Sequence, residues 1–482
     1  MSEYLPQMNR KKAVLDCFND LAADREMWID KNRYFYDGDY KYMRFLVPPG
    51  SRILDLGCGT GRLLNELRPS QGVGIDFSPN MIEVARKQYP EHDFLCADIE
   101  DKNTYENLDG PFDVVILSDT IGVLGDIQGV LTAVNAVCDD STRIIISYYS
   151  NKWEPVLSLA SLLGRRMPQI APNYLSAEDI ENFLYLSGFD VIKTEWRQLV
   201  PMKLLGLGEI INRYIAPLPF IRRLCLRNYV VARPLPCRDK QKKNYSASVL
   251  IPCRNEKGNV EQAIIRLPKF CDDMEIIFVE GHSQDGTLDE IKRVAEAYSD
   301  MDIKYVVQDG KGKGDAVRKG FSLATRDVLM ILDGDLTTPP EDMPKFYNAL
   351  VEGKGEFING SRLIYPLEKQ AMRFLNMLAN QAFSWLFTWL LNQRFTDTLC
   401  GTKVMFRDDY LRIQDNRSYF GNFDPFGDFD LIFGAVKLNL KVTEVPVNYA
   451  SRRYGETQIS RFSHGFLLLR MVIYAFRKFK AF

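Results

Sequence analysis

The chain has no hydrophobic run approaching the ~20 residues a membrane-spanning helix needs, so no spanning segment is expected. It has three histidines, His92, His282 and His464, which argues against a histidine-based metal centre. Its nine cysteines run from Cys17 to Cys400 without a single C-x-x-C pair, and their number is odd. That excludes a disulfide framework and a zinc site, and fits a reducing compartment. Neither sign of charge dominates: 61 Lys and Arg against 63 Asp and Glu leave −2, which argues against a general nucleic-acid binder. The amino terminus lacks the pattern of a signal peptide, so a cytosolic setting is expected.

At 482 residues the chain exceeds one ordinary core, and 46% hydrophobic with 26% charged residues is the balance of a soluble globular protein. Residues 234–245, PLPCRDKQKKNY, combine two prolines with a polar basic run and read as a linker. On either side, short Val/Ile/Leu runs alternate with amphipathic segments. The expectation is α/β, with two domains, 1–233 and 246–482, each a largely parallel sheet flanked by helices.

In the first half, RILDLGCGTG (52–61) is an apolar strand breaking into Gly57, Gly59 and Gly61, with Asp55 inside the strand end. Glycines there let backbone approach a ligand at a helix start. Arg62 occupies the third-glycine position of G-x-G-x-x-G, which disfavours a dinucleotide fold. Further strands end in Asp76, Asp98 and Ser118-Asp119. A carboxylate at Asp76 suits two ribose hydroxyls, and one at Asp98 suits an adenine amino group. Acids closing successive strands mark a ligand site on the carboxyl edge.

The motifs DLGCGTG (55–61), GVGIDFSPNMIEVA (72–85), CADI (96–99) and FDVVILSD (112–119) resemble those of class I S-adenosylmethionine-dependent methyltransferases, over roughly residues 35–195. The resemblance implies a Rossmann-like fold and S-adenosylmethionine as cofactor. Gly57, Gly59 and Gly61 would pass the methionine moiety, Asp76 would hold the ribose, and Asp98-Ile99 would flank the adenine. No general base stands out, and the methyl acceptor is left open. Ser176-Ala177-Glu178-Asp179 reads as a capping box opening a helix that Gly188 ends. The stretch 199–234, apolar but interspersed with arginines, reads as a lid, a surface against lipid head groups, or core packing.

The second half opens with SVLIPCRNE (248–256), a strand running into Pro252 and Glu256. A second strand ends at Glu280, a flexible loop carries Lys311 and Lys313, and VLMIL runs into Asp333-Gly334-Asp335. Two carboxylates beside a core strand are costly unless paired or metal-bound. Glu256, Glu280 and Asp333 suit a nucleobase and ribose, while Lys313 and a metal at Asp335 suit a diphosphate.

With GKGKGDAVRKGF, ILDGDL, NGSRL (359–363), TDTLCGTKVMFR (396–407), FGDFDL (426–431) and EVPVNY followed by RRYGETQI, this half resembles family 2 glycosyltransferases of the nucleotide-diphospho-sugar transferase fold. It is similar in particular to the polyprenyl (dolichol) phosphate sugar synthases, over 246–470. The resemblance implies that Asp333 and Asp335 hold Mg²⁺ or Mn²⁺ on the diphosphate of a nucleotide-sugar, and that Arg362 and Arg453 cradle an acceptor phosphate. Glu280-Gly281 stands where the family has an acidic pair, and Gln458 where it commonly has a lysine.

The chain thus reads as a bifunctional enzyme, an S-adenosylmethionine-dependent methyltransferase joined to an inverting glycosyltransferase whose leading acceptor is a polyprenyl phosphate. A hydroxyl acceptor would need a base, for which Asp428 is the first candidate. The alternative is a soluble glycosyltransferase acting on a glycan or small hydroxylated acceptor, with the first half a noncatalytic scaffold. Residues 371–395, with Phe383, Trp385, Phe387 and Trp389, read as a membrane-contacting segment or a homo-oligomer interface. Residues 451–482 carry seven basic residues against Glu456, and their aromatic tail reads as a basic amphipathic helix lying peripherally on the cytoplasmic face of a membrane.

Overall fold

The glycines and acids that close the apolar runs become strand ends in two separate sheets. The computed structural model describes residues 7–168, 173, 175–235, 244–362, 364, 374–420, 427–450, 452, 454 and 461–481. The chain divides into two units, Met1–Leu235 and Pro236–Lys480. Arg453, Gln458, Phe482 and most of the expected linker lie outside the described residues.

The first unit holds β1 (Arg52–Leu56), β2 (Gln71–Asp76), β3 (Asp93–Cys96), β4 (Val114–Ser118), β5 (Arg143–Tyr149), β6 (Phe189–Arg197) and β7 (Arg227–Pro234). Their order across the sheet is β3-β2-β1-β4-β5-β7-β6. The pairs among β1 to β5 are parallel, and only β7 runs against its neighbours. Leu54, Leu56, Val115, Leu117, Ile144 and Ile146 are buried in one core with the helices Ile127–Val134 and Ala177–Leu186. The expected capping box is present: Ser176 Oγ accepts the Asp179 N–H, and the Asp179 carboxylate accepts that of Ser176. Gly188 follows that helix at φ +84°.

Of the three readings of 199–234, core packing applies to its last part. Residues 227–234 form β7, buried throughout, because both its neighbours and the helix 177–186 cover it. Short helical turns between Leu204 and Leu224 precede it and remain largely exposed.

The second unit holds β8 (Ala247–Cys253), β9 (Met274–Glu280), β10 (Asp302–Val307), β11 (Val328–Ile331), β12 (Phe357–Ser361), β13 (Lys403–Phe406) and β14 (Val442–Pro446), in the order β10-β9-β8-β11-β13-β12-β14. β13 alone runs against its neighbours, β11 and β12. One edge therefore collects the carboxyl ends of β8, β9, β11, β12 and β14 together with the amino end of β13. Both sheets are largely parallel and carry helices, as the alternation of runs implies.

The C-terminal tail departs from the expected surface helix at its inner face. The helix Arg461–Ala475 passes into the turn Phe476–Lys480, where Phe479 is 4% and Lys480 1% exposed. The Phe479 ring lies 5.7 Å from Phe420 and 5.6 Å from Phe433. Lys480 Nζ donates to Asn392 Oδ1 at 3.0 Å, and Lys478 Nζ to the Tyr419 carbonyl at 2.6 Å. These lysines are spent inside the fold rather than offered to a bilayer. Phe466, Leu469 and Ile473 remain exposed on the outer face. The helix Phe374–Leu391 is divided likewise: Phe387 is fully buried and Trp389 meets Phe476 at 5.9 Å, while Trp385 is exposed.

Phe479→Ala should accordingly destabilise the second unit by about 3–5 kcal/mol, the range for emptying an aromatic site in a core. Chemical denaturation of the full chain measures it, and an unchanged midpoint would return the tail to the surface.

Candidate functional site

In the first unit the glycine turn after β1 is built around left-handed backbone. Gly57, Gly59 and Gly61 have φ of +81°, +55° and +78°, and a Cβ at Gly57 would stand 2.3 Å from Thr120 Oγ1. Only glycine meets both demands. Asp76, at the end of β2, fixes the turn, its carboxylate accepting the Gly59 N–H at 2.9 Å and the Ser78 N–H at 2.9 Å. Burial raises the Asp76 carboxyl, and these donors oppose the rise.

An open cleft of ≈ 450 Å³, mouth included, adjoins this turn and is lined by Asp55, Gly57, Ser118 and Asp119 from the strand ends. Its opposite wall comes from the N-terminal helices, with Arg25, Tyr36 and Tyr40. Asp55 is 1% exposed, and its Oδ1 has no hydrogen-bond partner. Burial, helped by Asp76, pushes the Asp55 carboxyl up to about 7. Arg25 lies over Gly59, its Nε 3.0 Å from where a Cβ would stand. Glu26, next to it, accepts from Thr60 Oγ1 at 2.6 Å and Arg62 Nη1 at 2.8 Å, tying that helix to the turn. The orphaned carboxylate oxygen, the glycine cradle and the guanidinium together fit a ligand with a cationic centre and a carboxylate, as S-adenosylmethionine has.

Arg227, at the start of β7, is 1% exposed and bridges two acids of the lining. Its Nε donates to Asp39 Oδ1 at 3.0 Å and its Nη1 to Asp119, while Nη2 reaches Ser118 Oγ at 3.2 Å. Asp98 and Ile99 stand apart from the cleft lining. Asp98 is ion-paired with Lys11, and Ile99 is 7% exposed within the hydrophobic core. Arg25, Asp39, Tyr36 and Arg227 escaped the sequence reading because nothing local marks them. Glu26 four residues before Asp30, both on Arg62, was the one available sign.

In the second unit the acids of the Asp333-Gly334-Asp335 turn each already have a cation. Lys313 Nζ donates to Asp333 Oδ1 at 2.7 Å. Burial alone would raise the Asp333 carboxyl, and Lys313, Lys403 and Arg362 reverse it to a net lowering. Asp335 accepts Thr337 Oγ1 at 2.8 Å and Arg452 Nη2 at 2.6 Å. Arg452 Nη1 also reaches Glu256 Oε1 at 2.9 Å, so one guanidinium spans two strand ends. Burial pushes Glu256 up to about 7, against the pull of Arg452 and Asn259.

Asp428 stands just before the helix Phe429–Lys437 without a side-chain bond to its first turn, and has Lys313 at 3.6 Å and Lys403 at 3.8 Å. A Cβ at Gly401 would sit 2.1 Å from Asp333 Oδ2, so the loop before β13 presses on the acid turn. In the sequence, Gly401 and Lys403 stand out only as parts of the TDTLCGTKVMFR motif. Glu280 is committed elsewhere: its carboxylate accepts the backbone N–H groups of His282 and Ser283 and shapes its own turn. Arg362 is held by Asp397, Nε donating at 2.6 Å and Nη2 at 2.8 Å. Pro252 lies on β8 with its carbonyl beside Gly334.

Among the described residues no three His, Cys, Asp or Glu side chains gather as a metal site. Asp333 and Asp335 are carboxylates, the donor type a hard divalent cation takes, and each is paired here with a side-chain cation.

Comparison with known proteins follows the same division. Residues 29–194 match the family model Methyltransferase domain, and 248–414 match Glycosyl transferase family 2. A dolichol-phosphate mannosyltransferase of Saccharomyces cerevisiae is 35% identical over 109 residues, 21% of this chain and 40% of that protein. Glycosyltransferase AglJ of Haloferax volcanii is 30% identical over 211 residues, 43% of this chain and 64% of that one. An undecaprenyl-phosphate 4-deoxy-4-formamido-L-arabinose transferase of Enterobacter sp. is 24% identical over 225 residues, 45% and 63% of the two. The chain therefore spans less than two thirds of each of these relatives. Among solved structures, a methyltransferase of Thermotoga maritima described as a possible histamine N-methyltransferase aligns at 18% identity and TM-score 0.36, covering 46% of this chain and 99% of that one. Glucosyl-3-phosphoglycerate synthase of Mycobacterium tuberculosis with UDP aligns at 17% and 0.36, covering 49% and 81%.

The raised Asp55 carboxyl sets a pH dependence. As pH rises from about 4, the unfolded chain releases this proton first, and the folded chain holds it to about 7. Stability of the ligand-free protein from this group therefore falls across that window and levels off above it. Asp55→Asn should stabilise the ligand-free chain by about 2–4 kcal/mol at pH 8 and by far less at pH 5, at about 1.36 kcal/mol per pH unit. Equal effects at the two pH values in denaturation would remove the shift.

Proposed function

We propose, on the premise that a methyltransferase domain here precedes a family 2 glycosyltransferase domain, that the chain is a bifunctional enzyme. Its second unit transfers a sugar from a nucleotide-diphospho-sugar to a polyprenyl phosphate. Its first unit uses S-adenosylmethionine. The observation that carries the reading is the paired neutralisation of the acid turn, with Lys313 on Asp333 and Arg452 on Asp335. Cations paired with carboxylates at the sheet edge can turn onto a diphosphate once the carboxylates have another partner.

In that reading Asp333 and Asp335 hold Mg²⁺ or Mn²⁺, which when bound supplies neutralising charge for the departing nucleoside diphosphate. Glu256, Pro252 and Asp333 contact the nucleoside side, Glu280 supports the turn, and Lys313 meets the diphosphate. Arg362, fixed by Asp397, presents its remaining nitrogen to the acceptor phosphate, with Arg453 following in sequence. Asp428 has Lys313 at 3.6 Å and Lys403 at 3.8 Å, and in this reading the acceptor is a phosphate, a nucleophile that needs no base. The relatives named for dolichol phosphate and undecaprenyl phosphate support a lipid-linked acceptor, and with it a membrane surface as the place of work.

In the first unit Asp76 would take the ribose, Asp98 and Ile99 the adenine, and Gly57, Gly59 and Gly61 the methionine chain, with Arg25 meeting its carboxylate. S-adenosylmethionine supplies a methyl group that is already activated, so positioning is the main task of the protein. Tyr36 and Tyr40 face the cleft where an acceptor would enter.

Incubation with nucleotide-sugars, Mg²⁺ or Mn²⁺ and short polyprenyl phosphates tests the transferase. Asp335→Ala should abolish sugar transfer and leave S-adenosylmethionine affinity unchanged. Transfer that persists in this variant with a chelator present would sink the metal assignment. Asp76→Ala should weaken S-adenosylmethionine binding by about 1.5–3 kcal/mol, the worth of a charge-assisted hydrogen bond, while sugar transfer continues. Calorimetry showing the same affinity would remove the cofactor site.

A further inference from the structure

Between residues 151 and 166 and again between 202 and 224, the first unit turns large apolar side chains outward. Single exposed leucines are ordinary, but a contiguous apolar patch marks an interaction surface. The helix Glu154–Leu162 exposes Leu159 and Leu162, with Leu163 just beyond it. The later turns leave Leu205 fully exposed, Phe220 at 88% and Ile210 at 54%. Two hydrogen bonds tie the start of the first stretch to the end of the second. Trp153 Nε1 donates to the Leu224 carbonyl at 2.7 Å, and Lys152 Nζ to that of Arg223 at 3.3 Å.

The backbone adds a second, independent sign. Leu204 and Leu205 have φ of +42° and +54°, a region that costs a leucine energy. The conformation gains no burial, since it holds Leu205 wholly in solvent. Charge then selects the partner. The two stretches carry seven Lys and Arg residues, including exposed Lys203 and Arg223, against Glu154 and Glu209 alone.

We propose that this surface docks on an anionic lipid bilayer, its apolar side chains entering between head groups and its basic residues meeting lipid phosphates. A second copy of the chain is a poorer fit, because a two-fold contact would set this positive charge against itself. The inference is compatible with a lipid-linked acceptor but does not rest on one, and vesicles free of polyprenyl phosphate keep the two apart.

The experiment is co-sedimentation of the full chain with vesicles of phosphatidylcholine, alone or mixed with phosphatidylglycerol. The unaltered protein should bind the mixed vesicles and release as salt rises. Leu205→Glu with Phe220→Glu, both at exposed positions, should bind at least about tenfold more weakly, as insertion of an apolar face requires. Its S-adenosylmethionine affinity and its sugar transfer to a soluble short-chain acceptor should match the unaltered protein. If that pair prevents folding, Lys203→Gln with Arg223→Gln should reduce binding to the anionic vesicles alone. Phe466→Glu, on the C-terminal helix, should leave binding intact. Failure of the unaltered chain to bind, equal binding by the variants, or loss confined to Phe466→Glu would each overturn the proposal. So would variants that only convert a dimer to a monomer.

Discussion

A carboxylate taken from water must find a counter-charge, and both units are organised around that requirement. Parallel sheets bring strand ends to one edge, and in this chain many of those ends are acids. In the first unit Arg227 answers Asp39 and Asp119, and Asp76 is answered by backbone N–H groups. In the second, Lys313 and Arg452 answer Asp333 and Asp335, and Arg452 serves Glu256 as well. Asp55, in the lining of the cleft, has no hydrogen-bond partner at its Oδ1, and burial raises its carboxyl.

The two kinds of answer have different consequences. Arg227 is buried on a strand and shared by two acids and two serines, so its place is fixed by everything around it. Lys313 opens the helix Lys313–Leu323, and it and Arg452 hold their acids from the ends of long side chains. One arrangement fixes its arginine on a strand, and the other reaches its acids through flexible methylene chains.

What the sequence made legible was the part with a local cause. Glycines at positive φ, acids ending apolar runs and the Ser176 box all act over a few residues, and each was found where it stands. What it hid depends on distance along the chain. β7 looked like part of a broken apolar stretch because its neighbours β5 and β6 lie far away in sequence. Arg25, Asp39 and Arg452 are ordinary surface-type residues until folding brings them to carboxylates. The tail misled for a related reason. Phe479 and Lys480 fit an amphipathic surface helix by composition, and only the aromatic cluster of Phe420 and Phe433 shows why they turn inward.

The position of β7 has a bearing on how the chain is made. It is the last strand of its unit in sequence, yet it sits inside the sheet and bonds to β5 on one side and β6 on the other. Until it emerges from the ribosome, β6 has no partner and β5 shows a bare edge, an invitation to sticking. The boundary at Leu235 follows almost at once, so the first sheet closes just as the second begins to be synthesised. A gene fragment cut at residue 194, where the matched family model ends, would therefore yield a half-built sheet, whereas one cut at Leu235 would yield a closed one.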